Sequence, residues 1–233
     1  MQAQRGILSL REMTRGIIRK VRNPLNALQL NLDNLGDEIA ELRIEGKKDI
    51  PERLRRMRNT IAELDSLLCE VLRFADLPRP QITAININSL VKQVETFARA
   101  ESSKKAVTVK LNLQENLPEI YGDPLQIKQA ILNVFMNAIQ ACLTKGLVTL
   151  ATERQNGRIR VMVTDNGAGI PVAHQNHIFE PFFSTKEGAT GLGLPLTLEI
   201  LKMHQGEISF TSEVGKGTTF LISLPGRGDL GTK

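Results

Sequence analysis

At 233 residues the chain is long enough for one large domain or two small ones with a real hydrophobic core. Hydrophobic residues make up 41% and charged residues 24%, an ordinary soluble balance, and the lack of Trp with a single Tyr argues against a base-stacking surface for single-stranded nucleic acid. The net charge of +5 is concentrated at the start, where Arg5, Arg11, Arg15, Arg19, Lys20 and Arg22 stand against Glu12 alone. Such a run suits a solvated helix face, with contact to an acidic or phosphorylated partner as the alternative. Cys69 and Cys142 lie in apolar helical runs without metal-ligand spacing and read as reduced core residues. No apolar stretch approaches a membrane span and the N-terminus has no signal-peptide pattern, so the expected setting is cytoplasmic, with no nucleic acid and no membrane span.

The first predicted element is a helix. Its apolar positions run Val21, Leu25, Leu28, Leu32, Leu35, Ile39 and Leu42, alternating steps of four and three as in a bundle seam. Pro24 falls inside this pattern and is expected to kink the helix. The pattern stops at Gly46-Lys47-Lys48-Asp49, where Asp49 can cap a second helix with Pro51 in its first turn. That helix repeats the heptad through Leu54, Met57, Ile61, Leu64, Leu68, Val71 and Ala75, and ends before Pro78 and Pro80. One hairpin cannot bury both seams, whereas two copies joined as a four-helix bundle can, so a homodimer is expected.

The remainder is mixed α/β. Residues 82–87 read as a short strand, and Asn88 or Ser89 is expected to cap a helix through Arg99. Val107, Val109, Leu111 and Leu113 alternate as a strand, and Asp123-Pro124 opens a helix to about Leu143. Residues 147–152 and 158–164 form a predicted hairpin around Asn156-Gly157. A Gly-rich irregular stretch over 167–193 leads into a helix to about His204, a strand over 207–212, a Gly215-Lys216-Gly217 turn and a last strand to Leu224. The expected fold is α+β: a helical hairpin over 1–77, a stiff linker over 78–81, an α/β sandwich over 82–225 and a disordered tail over 226–233.

Four short motifs in the α/β half carry candidate chemistry. Asn133 and Asn137 are four apart on one helix face, and an amide oxygen is a hard ligand suited to Mg²⁺; alone, the pair equally fits two surface asparagines. Asp165-Asn166-Gly167-Ala168-Gly169 follows a strand, so its carboxylate can accept from an exocyclic amine while the glycines let backbone come close; a tight turn is the bland alternative. Phe179-Glu180-Pro181-Phe182-Phe183 precedes Ser184-Thr185-Lys186, apolar anchors beside a polar tract that suit a mobile lid. Core packing is the alternative for at least two of the three rings. Finally, Gly188-Ala189-Thr190-Gly191-Leu192-Gly193-Leu194-Pro195 opens a helix whose bare N–H groups suit phosphate.

Taken in order, these motifs resemble the N, G1, F and G2 boxes of the ATP-binding domain of sensor histidine kinases, within the superfamily of Hsp90, gyrase B and MutL. Gly215-Lys216-Gly217-Thr218-Thr219-Phe220 resembles its closing G3 turn, and the resemblance spans about 81–224. It implies ATP and Mg²⁺ as cofactors. It implies that Asn137 ligates the metal with Asn133 close by, that Asp165 reads the adenine amine, and that Gly167 and Gly169 shape the adenine pocket. It further implies that Phe182 anchors the lid and that Thr190, Gly191 and Gly193 hold phosphate, with Lys186 and Leu192 completing the nucleotide set. Ala189 stands where the family usually has glycine. The gyrase and Hsp90 branches carry a water-activating Glu where this chain has Asn133, so the resemblance favours the histidine-kinase branch over a primary ATPase.

The helical half resembles the same family's phosphoacceptor hairpin, whose pattern is His-Glu, an aliphatic, a basic residue, then Asn-Pro-Leu. Here the residues are Arg19-Lys20-Val21-Arg22-Asn23-Pro24-Leu25. Arg19 replaces the accepting His and Lys20 the acid that would serve as base. A guanidinium stays protonated and has no lone pair to offer, so Arg19 is no nucleophile. His174, His177 and His204 read as structural. Asn23 keeps the position that, in the family, helps orient water against a response regulator's aspartyl-phosphate. The expected function is a histidine-kinase-like ATP-binding protein of two-component signalling, unable to phosphorylate itself at the usual position. Its expected partners are a response regulator receiver domain or a partner histidine kinase. The alternatives are a response-regulator phosphatase using Asn23, or a kinase acting on a His of another protein.

Overall fold

The computed structural model describes residues 21, 25–26, 28–37, 39, 50–142, 145–186 and 189–226. Arg19, Lys20, Asn23, Pro24, the turn over 46–49, Gly188 and the tail from 227 lie outside the described residues. The chain divides between Pro78 and Arg79 into two compact units.

In the first unit the described residues over 28–37 are helical, and α1 (Ile50–Ala75) is a helix of 26 residues with Glu52 in its first turn and Arg73 in its last, each placed to complement the helix dipole. The two helices touch through Arg58. Its Nε lies 2.8 Å from Asp33 Oδ1 and its Nη2 donates to Leu32 O at 3.4 Å. The heptads divide between two faces. Leu25, Leu54, Ile61 and Ala75 are buried, while Val21, Leu28, Leu35, Met57 and Leu64 remain exposed, Leu28 at 55% and Met57 at 53%.

The second unit begins with β1 (Thr83–Ile85) and α2 (Ile87–Lys104), followed by β2 (Thr108–Leu113), β3 (Ile120–Gly122) and α3 (Pro124–Ala141). Then come the hairpin β4 (Leu147–Gln155) and β5 (Arg158–Asp165), the single turn α4 (Val172–Gln175), α5 (Gly193–Met203), β6 (Glu207–Glu213) and β7 (Gly217–Pro225). Strands β2-β4-β5-β7-β6 form one sheet, parallel between β2 and β4 and antiparallel elsewhere, while β1 and β3 pair as a separate antiparallel ribbon. Apolar side chains on one face of β4, β5 and β7 (Val148, Leu150, Val161, Val163, Ile222) meet those of α2 and α3 (Val91, Val94, Ile131, Phe135) in one core.

The cap of α2 differs from expectation. Asn86, not Asn88 or Ser89, is the N-cap, its side chain accepting from Ser89 N at 3.0 Å. Asn88 instead donates to Gln114 O at 2.8 Å and accepts from Thr152 Oγ1 at 2.6 Å, tying the helix to the β2–β4 edge. The helix also runs past Arg99 to Lys104, because Val91, Val94, Ala98 and Ser102 continue its buried face.

Asp123 caps α3 as expected, accepting from Leu125 N and Gln126 N at 2.9 and 3.1 Å through Oδ1, while Oδ2 accepts from Gln81 N at 2.9 Å. Its own N–H donates to His204 Nε2 at 2.9 Å. That bond makes Nδ1 the protonated ring nitrogen, donating to Ile200 O at 2.7 Å. Burial pushes the Asp123 carboxyl up, but the N–H groups of Gln81, Gln126 and Leu125, with His204, outweigh it and hold the group below its ordinary value. Asp123→Ala is expected to lower the unit's stability by about 1–3 kcal/mol, the loss of a cap and one further bond. A carboxyl held down contributes stability that is full above its unfolded pKa, about 4, and is lost as pH falls through the lower folded one. Denaturant unfolding at pH 7 and pH 2.5 tests both points: the difference between the two proteins should shrink in acid.

Candidate functional site

Asn133 and Asn137 lie on α3, half-buried, while Ile131, Val134, Phe135 and Ala138 fill the core behind them. Asn133 Oδ1 accepts from Gln129 Nε2 at 2.6 Å, and its Nδ2 donates to Gly193 O at 3.0 Å. Thr197 Oγ1, 3.4 Å from Nδ2, in turn donates to Gly193 O at 2.9 Å. The Asn133 amide therefore fixes where α5 begins. It has no basic atom to activate water.

Asn137 presents its oxygen to the segment after the phenylalanines. Lys186 Nζ lies 3.5 Å from Asn137 Oδ1 and 3.0 Å from Gln140 Oε1. Lys186 is an exposed residue whose ammonium turns inward. Desolvation of that end, with the nearby Lys105 ammonium, pushes it below its ordinary value, while Asp165 pulls the other way.

Asp165 ends β5 and is 4% exposed. Its Oδ1 accepts from Gly167 N at 2.8 Å and Thr218 N at 3.2 Å. Burial pushes its carboxyl above the ordinary value, against the pull of those two N–H groups and of Lys186. Gly169 is obligatory at its position: its φ is +69°, and a Cβ there would stand 2.2 Å from Glu213 O. Gly167 packs equally tightly, with Ala141 O 2.5 Å from where its Cβ would lie. Ala168 N donates to Ala141 O at 3.1 Å, joining this loop to the end of α3, and Gly215 N donates to Ala168 O at 2.9 Å, joining it to the turn before β7.

The phenylalanine run divides as the core-packing alternative describes. Phe179 and Phe183 pack on the core, and the Phe183 ring lies 5.7 Å from both His174 and His177. Phe182, expected as the anchor, is 54% exposed with φ of +67°. Core packing falls to its neighbours because the backbone turns there. Gly191 has φ of +68° and passes so close that a Cβ would lie 2.5 Å from Phe183 O. Thr190 Oγ1 accepts from Leu192 N at 3.4 Å, and the buried Leu192 leads into α5 with no side-chain cap. No side chain caps the first turn of α5, where Pro195 carries no N–H of its own.

Motifs spread over 133–219 are therefore joined by named hydrogen bonds: Asn133 to Gly193, Lys186 to Asn137, Ala141 to Ala168, and Asp165 to Thr218. Sequence reasoning missed Gln129 and Gln140, and named Thr218 only within the closing turn. The two glutamines had a signal, lying four before Asn133 and three after Asn137 on the same helical face. The described residues hold no cluster of three or more His, Cys, Asp or Glu that would bind a metal by itself. They also form an open groove of about 310 Å³, lined by Thr164, Thr211, Lys216 and Thr219 beside Asp165; it includes neither Asn133, Asn137 nor the phenylalanine run.

Residues 122–228 match the family described as histidine kinase-, DNA gyrase B- and HSP90-like ATPase. Over these residues the chain is similar to that ATPase family. The chain is 33% identical over 219 residues to sporulation kinase C of Bacillus subtilis (strain 168), covering 94% of this chain and 49% of that protein. It is 28% identical over 225 residues to the sensor histidine kinase ZraS of Escherichia coli (strain K12), covering 97% and 47%. The chain thus spans about half the length of the curated relatives it matches. Among solved structures, the catalytic domain of histidine kinase ThkA shares 28% identity at a TM-score of 0.58, over 63% of this chain and 96% of that one. Full-length ShkA in complex with AMPPNP superposes at a TM-score of 0.77 over 92% of this chain and 46% of that one, with 24% identity, a likeness of fold. Among the described residues, no helix is long and apolar enough to cross a membrane.

Proposed function

We propose that this chain is a dimeric, histidine-kinase-like signalling protein that binds Mg²⁺-ATP through its α/β unit and does not phosphorylate itself at the usual position. The observation that carries the nucleotide reading is the convergence of the Asn137 oxygen, the buried Asp165 carboxylate and the uncapped start of α5 through the bonds above. Asp165 Oδ1 is taken up by two N–H groups, so Oδ2 is the oxygen that accepts from the adenine amine. Gly167 and Gly169 bring backbone against the ring, and Thr190, Gly191, Leu192 and Gly193 present the phosphate-facing start of α5. The residues suit magnesium in a particular way. Asn137 offers one hard oxygen already facing a cation, and with no acidic cluster among the described residues, phosphates and water would supply the other ligands. A metal held there would neutralise phosphate charge; Asn133 positions α5 and supplies no base. Calorimetric titration of the chain with Mg²⁺-ATP tests this reading, which predicts saturable one-site binding. Absence of binding would remove it.

Dimerisation is supported by the heptads. Val21, Leu28 and Leu35 recur every seven residues on one helix, as do Met57 and Leu64 on the other, and all five remain exposed in the single hairpin. A second copy laying its own stripe there completes a four-helix bundle. Leu28→Glu is expected to leave the hairpin folded, because that side chain is exposed in one copy, and to dissociate the dimer by burying an unpaired charge in the bundle. Light scattering with circular dichroism tests this: a folded monomer for the unaltered chain contradicts the dimer.

The partner is a response regulator receiver domain or a partner histidine kinase. Histidine kinase ThkA, whose complex with the response regulator TrrA superposes over 95% of this chain at a TM-score of 0.66, has 20% identity and lends its fold to that reading. Asn23 favours a second reading, a response-regulator phosphatase, because orienting water against an aspartyl-phosphate needs an amide and no His nucleophile. A third reading sends the phosphoryl group to a His on another protein. Both need the nucleotide or regulator sites but neither needs Arg19 or Lys20 as reactants.

A further inference from the structure

Two ammonium groups meet at the end of α3. Lys105 Nζ donates to the backbone oxygen of Gln140 at 3.3 Å, and Lys186 Nζ donates to the Gln140 side-chain oxygen at 3.0 Å. Neither lysine forms an ion pair among the described residues. Lys105 is explained by the helix, whose last carbonyls favour a cation. Lys186 is not. It comes from another segment, faces like charge, and addresses two side-chain amide oxygens, one of which is the metal-facing atom of Asn137. An ammonium has three donors; two are used on Asn137 and Gln140, and one remains. Asp165 is the one acid that acts on Lys186, and it forms no ion pair with it among the described residues, so a further anion in the same space relieves the repulsion between the two ammonium groups.

Resting on the nucleotide reading, we propose that Lys186 is the resident cation of the site: its ammonium occupies the metal's side of Asn137 and holds the nucleotide's phosphates when no divalent ion is bound. The lysine bridges the Asn137 oxygen to a phosphate oxygen, as a hydrated divalent ion would, with a single charge. Nucleoside polyphosphate then binds in metal-free form with a moderate loss of affinity. When the divalent ion arrives on Asn137, Lys186 gives up that oxygen and keeps its contact with phosphate. The lysine is thus a specificity-determining residue for metal-free against metal-loaded nucleotide, and no chemical step is assigned to it.

The test is calorimetric titration of the full chain with the β,γ-imido analogue of ATP, once with excess Mg²⁺ and once with excess EDTA. The unaltered chain is expected to bind in both conditions. In Lys186→Met, metal removal should weaken binding about ten- to a hundredfold more than in the unaltered chain, the worth of a charge-assisted bond. Lys186→Arg should restore most of the metal-free affinity. Because Lys186 is exposed, both variants should unfold at the unaltered temperature; Lys186→Gln replaces Lys186→Met if it does not. An equal ratio of the two affinities in the unaltered chain and Lys186→Met overturns the proposal, as does an unaltered chain that binds only with Mg²⁺. Failure to bind even with Mg²⁺ would instead overturn the nucleotide reading on which it rests.

Discussion

Asp165→Asn is expected to weaken Mg²⁺-ATP binding by about ten- to a hundredfold while leaving the α/β unit at least as stable. The amide keeps an oxygen for the N–H groups of Gly167 and Thr218, now 2.8 and 3.2 Å from Oδ1. Its other end becomes an NH₂ that faces the adenine amine, donor against donor, and a mismatched buried pair costs about 1–3 kcal/mol. Stability moves the opposite way because burial pushes the natural carboxyl above its ordinary value. A raised acid contributes stability that is full below its unfolded pKa and is lost as pH rises through the folded one. The variant behaves like the protonated acid, so its advantage should be present at neutral pH and absent in acid. Paired calorimetry and thermal unfolding at pH 7 and pH 3 read both effects. Equal nucleotide affinity in the two proteins would take Asp165 out of the site.

A second large effect is expected at the acceptor position. Arg19→His alone supplies an imidazole but leaves Lys20 beside it, and a neighbouring cation opposes the positive charge that develops as the ring attacks phosphorus. Adding Lys20→Glu reverses that sign and provides a proton acceptor, a role that typically contributes about 10²–10⁴-fold. The double variant should therefore take far more acid-labile, alkali-stable label from γ-labelled ATP than the single one. Equal labelling of the two would remove Lys20 from the account.

The candidate motifs were legible because they are concentrated in short contiguous runs. Asn133 and Asn137 declare a common face by spacing alone, and Asp165 sits where a strand breaks into glycines. Spacing did not show what each amide does: Asn133 is spent on Gly193, sixty residues away, while Asn137 faces the lysine. The same limit hid the cap of α2. Asn86, Asn88 and Ser89 all have capping side chains, and only the distant partners of Asn88, Gln114 and Thr152, leave Asn86 to do it. Strand β3 was invisible for a related reason. It is three residues long and exists through pairing with β1, so no periodicity marks it. The crossover that sets β2 parallel to β4 was likewise beyond a pattern that records faces and not neighbours. In the phenylalanine run, composition announced apolar rings, but the left-handed backbone at Phe182 decided which of them pack on the core.

The most direct test of the proposal that the chain binds ATP without phosphorylating itself is one labelling measurement. The unaltered chain, saturated with Mg²⁺ and γ-labelled ATP at a concentration fixed by the binding titration, is analysed for acid-labile, alkali-stable phosphate. With Arg19 at the acceptor position and no lone pair to attack phosphorus, the expected incorporation is none above the background of a heat-denatured control. Stoichiometric label on the unaltered chain would contradict the account and place the acceptor at another of its histidines.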